Sequence, residues 1–177
     1  MRRFTTVGGL EIARRWLTGR FHGIADIYIP YRLYKVTLDD RRIRSVRFYA
    51  IDAAVGTLDP YEFARPPQPD SWLRVETGNF HPIRLNEDQT KKFVVEKVRR
   101  VLYSRGFFRL ANPAISADLI EPEFYLPYWA GFYGDERDVR IIVLNAIRQR
   151  VEGSKVRRLV KNWLLEGDSQ NELKLAF

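Results

Sequence analysis

Residues 24–38 are dense in Ile, Val, Tyr and Leu, which predicts a β-strand. Pro30 lacks an amide hydrogen, so that position belongs at an edge, a bulge or a bend. After a polar turn at 39–42, a second strand is expected over 43–51, where Val46, Phe48 and Ala50 alternate with Arg47 and Tyr49. Ahead of this pair, Leu10, Ala13, Trp16 and Leu17 fall at helical spacing. They predict a short helix over 10–18 that starts weakly after Gly8-Gly9 and stops at Gly19. Pro60, Pro66, Pro67, Pro69 and Pro82 mark 59–84 as a connector, with a short strand at 72–75 inside it.

The second half repeats these periods. Asn86 is a good N-cap, Gln89 stands in capping-box position, and Glu87 and Asp88 sit where the helix dipole favours acids. Val94, Val98, Val101 and Leu102 form the expected buried face of this helix, which ends at Gly106. An extended stretch follows over 123–133, then a turn at 134–138. The nearly all-apolar run 139–144 is expected to be a central strand covered on both faces. Val156, Leu159, Val160, Trp163 and Leu164 then give a clean amphipathic helix from Ser154 to Glu166, stopped by Gly167, with a polar tail at 168–177.

One hexapeptide ties the halves together. Asp26-Ile27-Tyr28-Ile29-Pro30-Tyr31 returns as Glu123-Phe124-Tyr125-Leu126-Pro127-Tyr128, and Tyr28 and Tyr125 are expected at equivalent places. Further on, Asp52-Ala53 matches Asn145-Ala146 if the second hairpin is four residues shorter, whereas Gly56 matches Gly153 without a gap. The fold class expected is α+β: two similar helix-plus-antiparallel-hairpin units sharing a core, closed by the C-terminal amphipathic helix. Its divisions are 1–58 for the first unit, 59–84 for the connector, 85–167 for the second unit with the terminal helix, and 168–177 for the tail.

Helix, paired strands, then Tyr49-Ala50-Ile51-Asp52-Ala53-Ala54-Val55-Gly56 resembles the PepSY domain, a small module with a cystatin-like curl of sheet around a helix. The stretch from Tyr125-Leu126-Pro127-Tyr128-Trp129 to Gly153 looks like the Tyr-x-Pro-x-Trp hairpins appended to some bacterial zinc-ribbon proteins. The PepSY likeness implies a non-catalytic module associated with inhibition or protein binding, usually outside the cytoplasm. The chain has none of the zinc ribbon's cysteines, so a metal role does not carry over.

Composition narrows the chemistry. Across 177 residues, 45% are hydrophobic and 29% charged, which suits a folded globular chain. Without cysteine there is no disulfide or thiolate metal site, and His22 and His81 are too few for a histidine-based one. No cofactor is expected. No window is apolar enough to span a membrane, and Glu11, Arg14 and Arg15 interrupt any leader-like stretch, so a cytoplasmic location is the expectation. The net charge of +8 favours anionic partners, though an arginine-rich solvated surface gives the same sum.

The candidate interaction surface is Arg32 and Tyr34 on one strand face, Arg47 and Tyr49 on its neighbour, and Tyr128 and Trp129 in the second half. Interleaved Arg and Tyr on a sheet could stack bases and neutralise phosphates. Tyr125, Tyr128, Trp129, Phe132 and Tyr133 form an aromatic cluster whose ordinary role is core and edge cover. On the last helix, Lys155, Arg157, Arg158 and Lys161 make a basic face suited to solvent, phosphate or an anionic membrane. Asp26 and Glu123 could pair for acid–base work; more ordinarily each bonds an arginine or an amide. The leading expectation is a non-catalytic module for a protein partner. A basic nucleic-acid-binding module is the alternative, and an enzyme using Asp26 and Glu123 comes third. Oligomeric state is left open.

Overall fold

The computed structural model describes residues 2–4, 23–40, 43–68, 72–104, 114–135 and 138–174. The expected helix at 10–18 and His22 lie outside these. By packing, the chain falls into two units, each assembled from separated stretches: Met1–Phe4 with Ile29–Leu126, and Thr5–Tyr28 with Pro127–Phe177. These units cut across the divisions at 58, 84 and 167. Two long strands pass from one unit into the other, and each crosses inside the repeated hexapeptide, between Tyr28 and Ile29 and between Leu126 and Pro127.

The first unit contains β1 (Arg2–Phe4), most of β2 (Gly23–Asp40), β3 (Ile43–Asp52), β4 (Tyr61–Phe63), β5 (Trp72–Arg74), helix α1 (Glu87–Ser104) and the start of β6 (Ala114–Asp135). Its strand order is β4-β3-β2-β6-β1-β5. β2 and β3 pair antiparallel from Tyr31 opposite Asp52 to Asp40 opposite Ile43. Helix α1 begins as its sequence dictates: Asn86 Oδ1 accepts from the Gln89 amide, and Gln89 Oε1 accepts from the Asn86 amide, both at 2.9 Å. Thr90, Val94 and Val98 form its buried stripe. Val94 and Val98 pack with Tyr34, Val36, Leu38, Tyr49, Ile51 and Ala117 into the core of this unit.

The second unit contains the end of β6, β7 (Asp138–Asn145), β8 (Arg150–Val151) and helix α2 (Ser154–Lys174). β7 pairs β6 from Asp138 to Asn145 but meets β8 only at Leu144 and Asn145. The central, fully covered strand expected is thus reached only at its end: Val143 and Leu144 are buried, Ile141 and Ile142 half-buried and Arg140 exposed. Val156, Leu159 and Val160 are buried on α2, which packs on β7. The helix continues past Gly167, where a stop was expected. An interior glycine costs about 1 kcal/mol relative to alanine, too little to end a helix already anchored by packing.

The expected class, two helix-plus-hairpin units, is overturned. The described chain is mostly antiparallel sheet, eight strands and two helices among the described residues, and each described helix follows its hairpin. Helix α1, expected to open the second unit, packs on β3 of the first hairpin. The connector brings it there: the Ala53 carbonyl accepts from the amides of both Arg84 and Leu85 at 3.0 Å, tying the start of the helix to the end of β3.

The two prolines explain how both hairpins end. Each ladder stops one residue after the proline, at Tyr31 opposite Asp52 and at Tyr128 opposite Asn145. Beyond that rung the proline needs only to accept. Pro30 O takes the Ala53 amide at 2.8 Å, and Pro127 O takes the Ala146 amide at 3.1 Å. Asp52-Ala53 and Asn145-Ala146 therefore hold the same ladder position. Gly56 and Gly153 do not correspond: Gly56 has φ +70° against the Phe93 ring, while Gly153 faces open space.

Candidate functional site

Register places Arg32, Tyr34, Arg47 and Tyr49 on one face of the β2–β3 pair, as the alternation predicts. That face is the one α1 covers, and Tyr34 and Tyr49 are buried. Arg32 Nη1 donates to the Leu85 carbonyl at 2.7 Å. The Tyr34 hydroxyl donates to the Glu87 carbonyl at 3.2 Å and shares a 2.7 Å bond with Thr90 Oγ1. Burial raises the pKa of Tyr34 against the opposing pull of the Thr90 bond. These residues staple the first turn of α1 to β2. At the far end of the same face, half-buried Arg47 holds Glu62 of β4 in an ion pair. Tyr128 is buried opposite Asn145, and Trp129 is half-buried opposite Leu144. A buried ring offers no face for a base, so Tyr34, Tyr49 and Tyr128 serve the interior.

The two candidate acids lie in different units, Asp26 in the second and Glu123 in the first. Glu123 accepts from the Tyr125 hydroxyl at 2.9 Å. Burial, then the bond and charge of Glu123, push the Tyr125 pKa well up, which keeps that phenol protonated. His81 is buried with Nδ1 2.8 Å from the Pro82 carbonyl, a bond in which the ring nitrogen donates. Among the described residues no three His, Cys, Asp or Glu side chains gather as a metal-ligand set. No described helix is long and apolar enough to cross a membrane.

Two concave surfaces stand out among the described residues. In the first unit, the face of β2 turned away from α1 carries an aromatic floor. Tyr31 meets Tyr61 edge-on at 5.5 Å, and Phe124 meets Trp72 edge-on at 5.2 Å. Beside it lies a groove of about 540 Å³ lined by Leu33, Pro66, Pro67, Trp72, Leu73, Arg74, Ile120 and Glu121. Leu73 and Ile120 remain 46% and 42% exposed there. β5 is the last strand of the sheet on this side.

In the second unit, a groove of about 380 Å³ is lined by Tyr133, Asp138, Arg140, Ile141, Ser154, Arg157, Arg158 and Lys161. Tyr133 on β6 stands directly opposite Arg140 on β7. Arg140 holds Asp138 through Nε at 2.8 Å and Nη2 at 2.7 Å. Ser154, Arg157, Arg158 and Lys161 follow at i, i+3, i+4 and i+7 on α2 and are all exposed. The sequence points to the helix cations and places Tyr133 in its aromatic cluster, but it does not point to Arg140. The signal for Arg140 is the hairpin register: with Asp135 opposite Asp138, residues 133 and 140 stand face to face.

None of the six residues Arg32, Tyr34, Arg47, Tyr49, Tyr128 and Trp129 lines either groove, whereas Tyr133, Arg157, Arg158 and Lys161, also singled out in the sequence, line the second. No protein family, curated protein or solved structure matches the chain.

Proposed function

We propose that the chain is a non-catalytic binding module for a protein partner, received as an extended apolar peptide segment in the groove of the first unit. One observation carries this: Leu73 and Ile120, two large side chains nearly half exposed, line the same concavity. Exposed apolar residues scattered singly need no explanation, but two lining one groove over a packed aromatic floor favour an apolar ligand. The volume of about 540 Å³ falls in the range of clefts that take ligands. Trp72, fixed against Phe124, presents a rigid wall, so little side-chain freedom is lost on binding. Arg74 and Glu121 supply charges of both signs that select the polar flanks of the segment.

The test is selection of peptides from a random library on the folded full-length chain, in the presence of nuclease. Selected sequences should share apolar residues at alternating or closely spaced positions. Leu73→Asp with Ile120→Asp should abolish their binding while leaving the thermal unfolding midpoint within a few degrees of the parent. Peptides that bind the double variant equally well, or capture that disappears with nuclease, would overturn the reading.

A further inference from the structure

We propose that the cationic groove of the second unit binds single-stranded nucleic acid, with the helix cations on its phosphates and Tyr133 against a base. This site is separate from the peptide groove and stands or falls on its own. Four cations face one carboxylate in the lining, and that carboxylate, Asp138, is already held by Arg140. Arg157, Arg158 and Lys161 are exposed and have no side-chain partner among the described residues. An ordinary solvated helix face is laced with acids one turn away from its cations. Here the first turn of α2 holds no acid, and the first acid along the helix is Glu166. Arg157 and Arg158 thus stand near the end of the helix where its dipole disfavours positive charge. A local rule broken with no internal compensation is what a functional surface leaves behind.

The shape selects the class of anion. An anionic membrane would need the apolar face of α2 free to insert, but Val156, Leu159 and Val160 are buried within the unit. A duplex hides its bases, whereas a recess with a half-exposed tyrosine suits an unstacked one. Arg157 and Lys161 lie about 6 Å apart along the helix axis, so one strand meets repeated positive charge rather than a single point. Arg140, engaged with Asp138, fixes the wall beside Tyr133, and the helix cations are the phosphate ligands.

The experiment measures binding of the full chain to a labelled oligouridylate across a salt series. The logarithm of affinity should fall linearly with the logarithm of salt. Arg157→Gln with Lys161→Gln should make that slope shallower by about 0.7 for each cation removed. Tyr133→Leu should weaken binding about five- to 100-fold with the slope unchanged. Arg158→Gln provides an independent variant should the double one lose its circular dichroism signal. Three outcomes would overturn the proposal. Inorganic polyphosphate could compete as well per phosphate while Tyr133→Leu changes nothing, which makes the groove a general anion site. The duplex could bind more tightly than the single strand. Vesicles containing phosphatidylserine could bind where the oligonucleotide does not.

Discussion

A carboxylate can only accept hydrogen bonds, whereas a carboxamide accepts on one atom and donates on the other. That difference sorts the two residues that close the hairpins. Asp52 Oδ1 takes the amides of Val55 and Gly56 at 2.8 and 2.7 Å, and Oδ2 takes the amide of Leu58 at 2.9 Å. Asn145 Oδ1 takes the amides of Ile147 and Arg148, but its Nδ2 donates to Glu152 Oε1 at 2.7 Å. Asp52→Asn sets an NH₂ against a backbone donor and should cost about 1–3 kcal/mol by urea denaturation. Asn145→Asp should also destabilise, because it sets two carboxylates together. A proton shared by that pair has a raised affinity in the folded state, so the loss should be small at low pH and grow as pH rises through the carboxylate range. Equal losses at pH 4 and pH 8 would contradict this account. Tyr34 and Tyr125 obey the same linkage at the alkaline end. Both folded pKa values are raised by burial, so their stabilising contribution is complete below about pH 10, the ordinary phenol value, and is lost as pH climbs through the folded values. Replacing both by Phe should flatten the fall in stability above about pH 10, and an unchanged fall would exclude them as its source.

At the scale of elements, the sequence was most legible where a bond is local. The capping box of Asn86 and Gln89, the amphipathic stripe of α2 and the alternation along β2 and β3 each need only neighbours in the chain. What covers a face is not local. Arg32, Tyr34, Arg47 and Tyr49 do share a face, but whether solvent, a ligand or a helix lies over it depended on two bonds from Ala53 to residues more than thirty positions away. The rival alignments of the repeat differ for the same reason: pairing opposite Tyr31 and Tyr128 decides, and glycine identity does not. Gly56 makes this measurable. Its φ of +70° disfavours any L side chain, and a Cβ there would enter the Phe93 ring. Gly56→Ala should therefore destabilise by about 1–3 kcal/mol. Gly153 has open space and no positive φ, and its carbonyl accepts the Arg157 amide as the N-cap of α2, so Ala there should cost only the poorer cap, about 0.5 kcal/mol. Similar losses at both positions would restore the alignment of Gly56 with Gly153.

At the scale of the whole molecule, periodicity along the chain suggested two contiguous modules, but each packing unit joins two separated stretches of the sequence. That arrangement decides what can fold alone. A fragment spanning 1–84 keeps β1 to β5 but loses α1 and β6. It gives up Val94, Val98 and Ala117 from the core and the strand that lies between β2 and β1. Burial of the two valines alone contributes on the order of 3–6 kcal/mol, a large share of the about 5–15 kcal/mol by which folded domains are held. The complementary fragment 85–177 keeps β6, β7, β8 and α2 but takes Tyr34, Val36, Leu38, Tyr49 and Ile51 of β2 and β3 away from the stripe of α1. The first fragment should show far-ultraviolet signal without a cooperative melt and should bind a hydrophobic dye, while the intact chain melts cooperatively. Mixing the fragments should restore part of the near-ultraviolet signal of Trp72, whose partner Phe124 lies on the other piece. A cooperative transition in 1–84 alone would return the molecule to two sequence-contiguous modules.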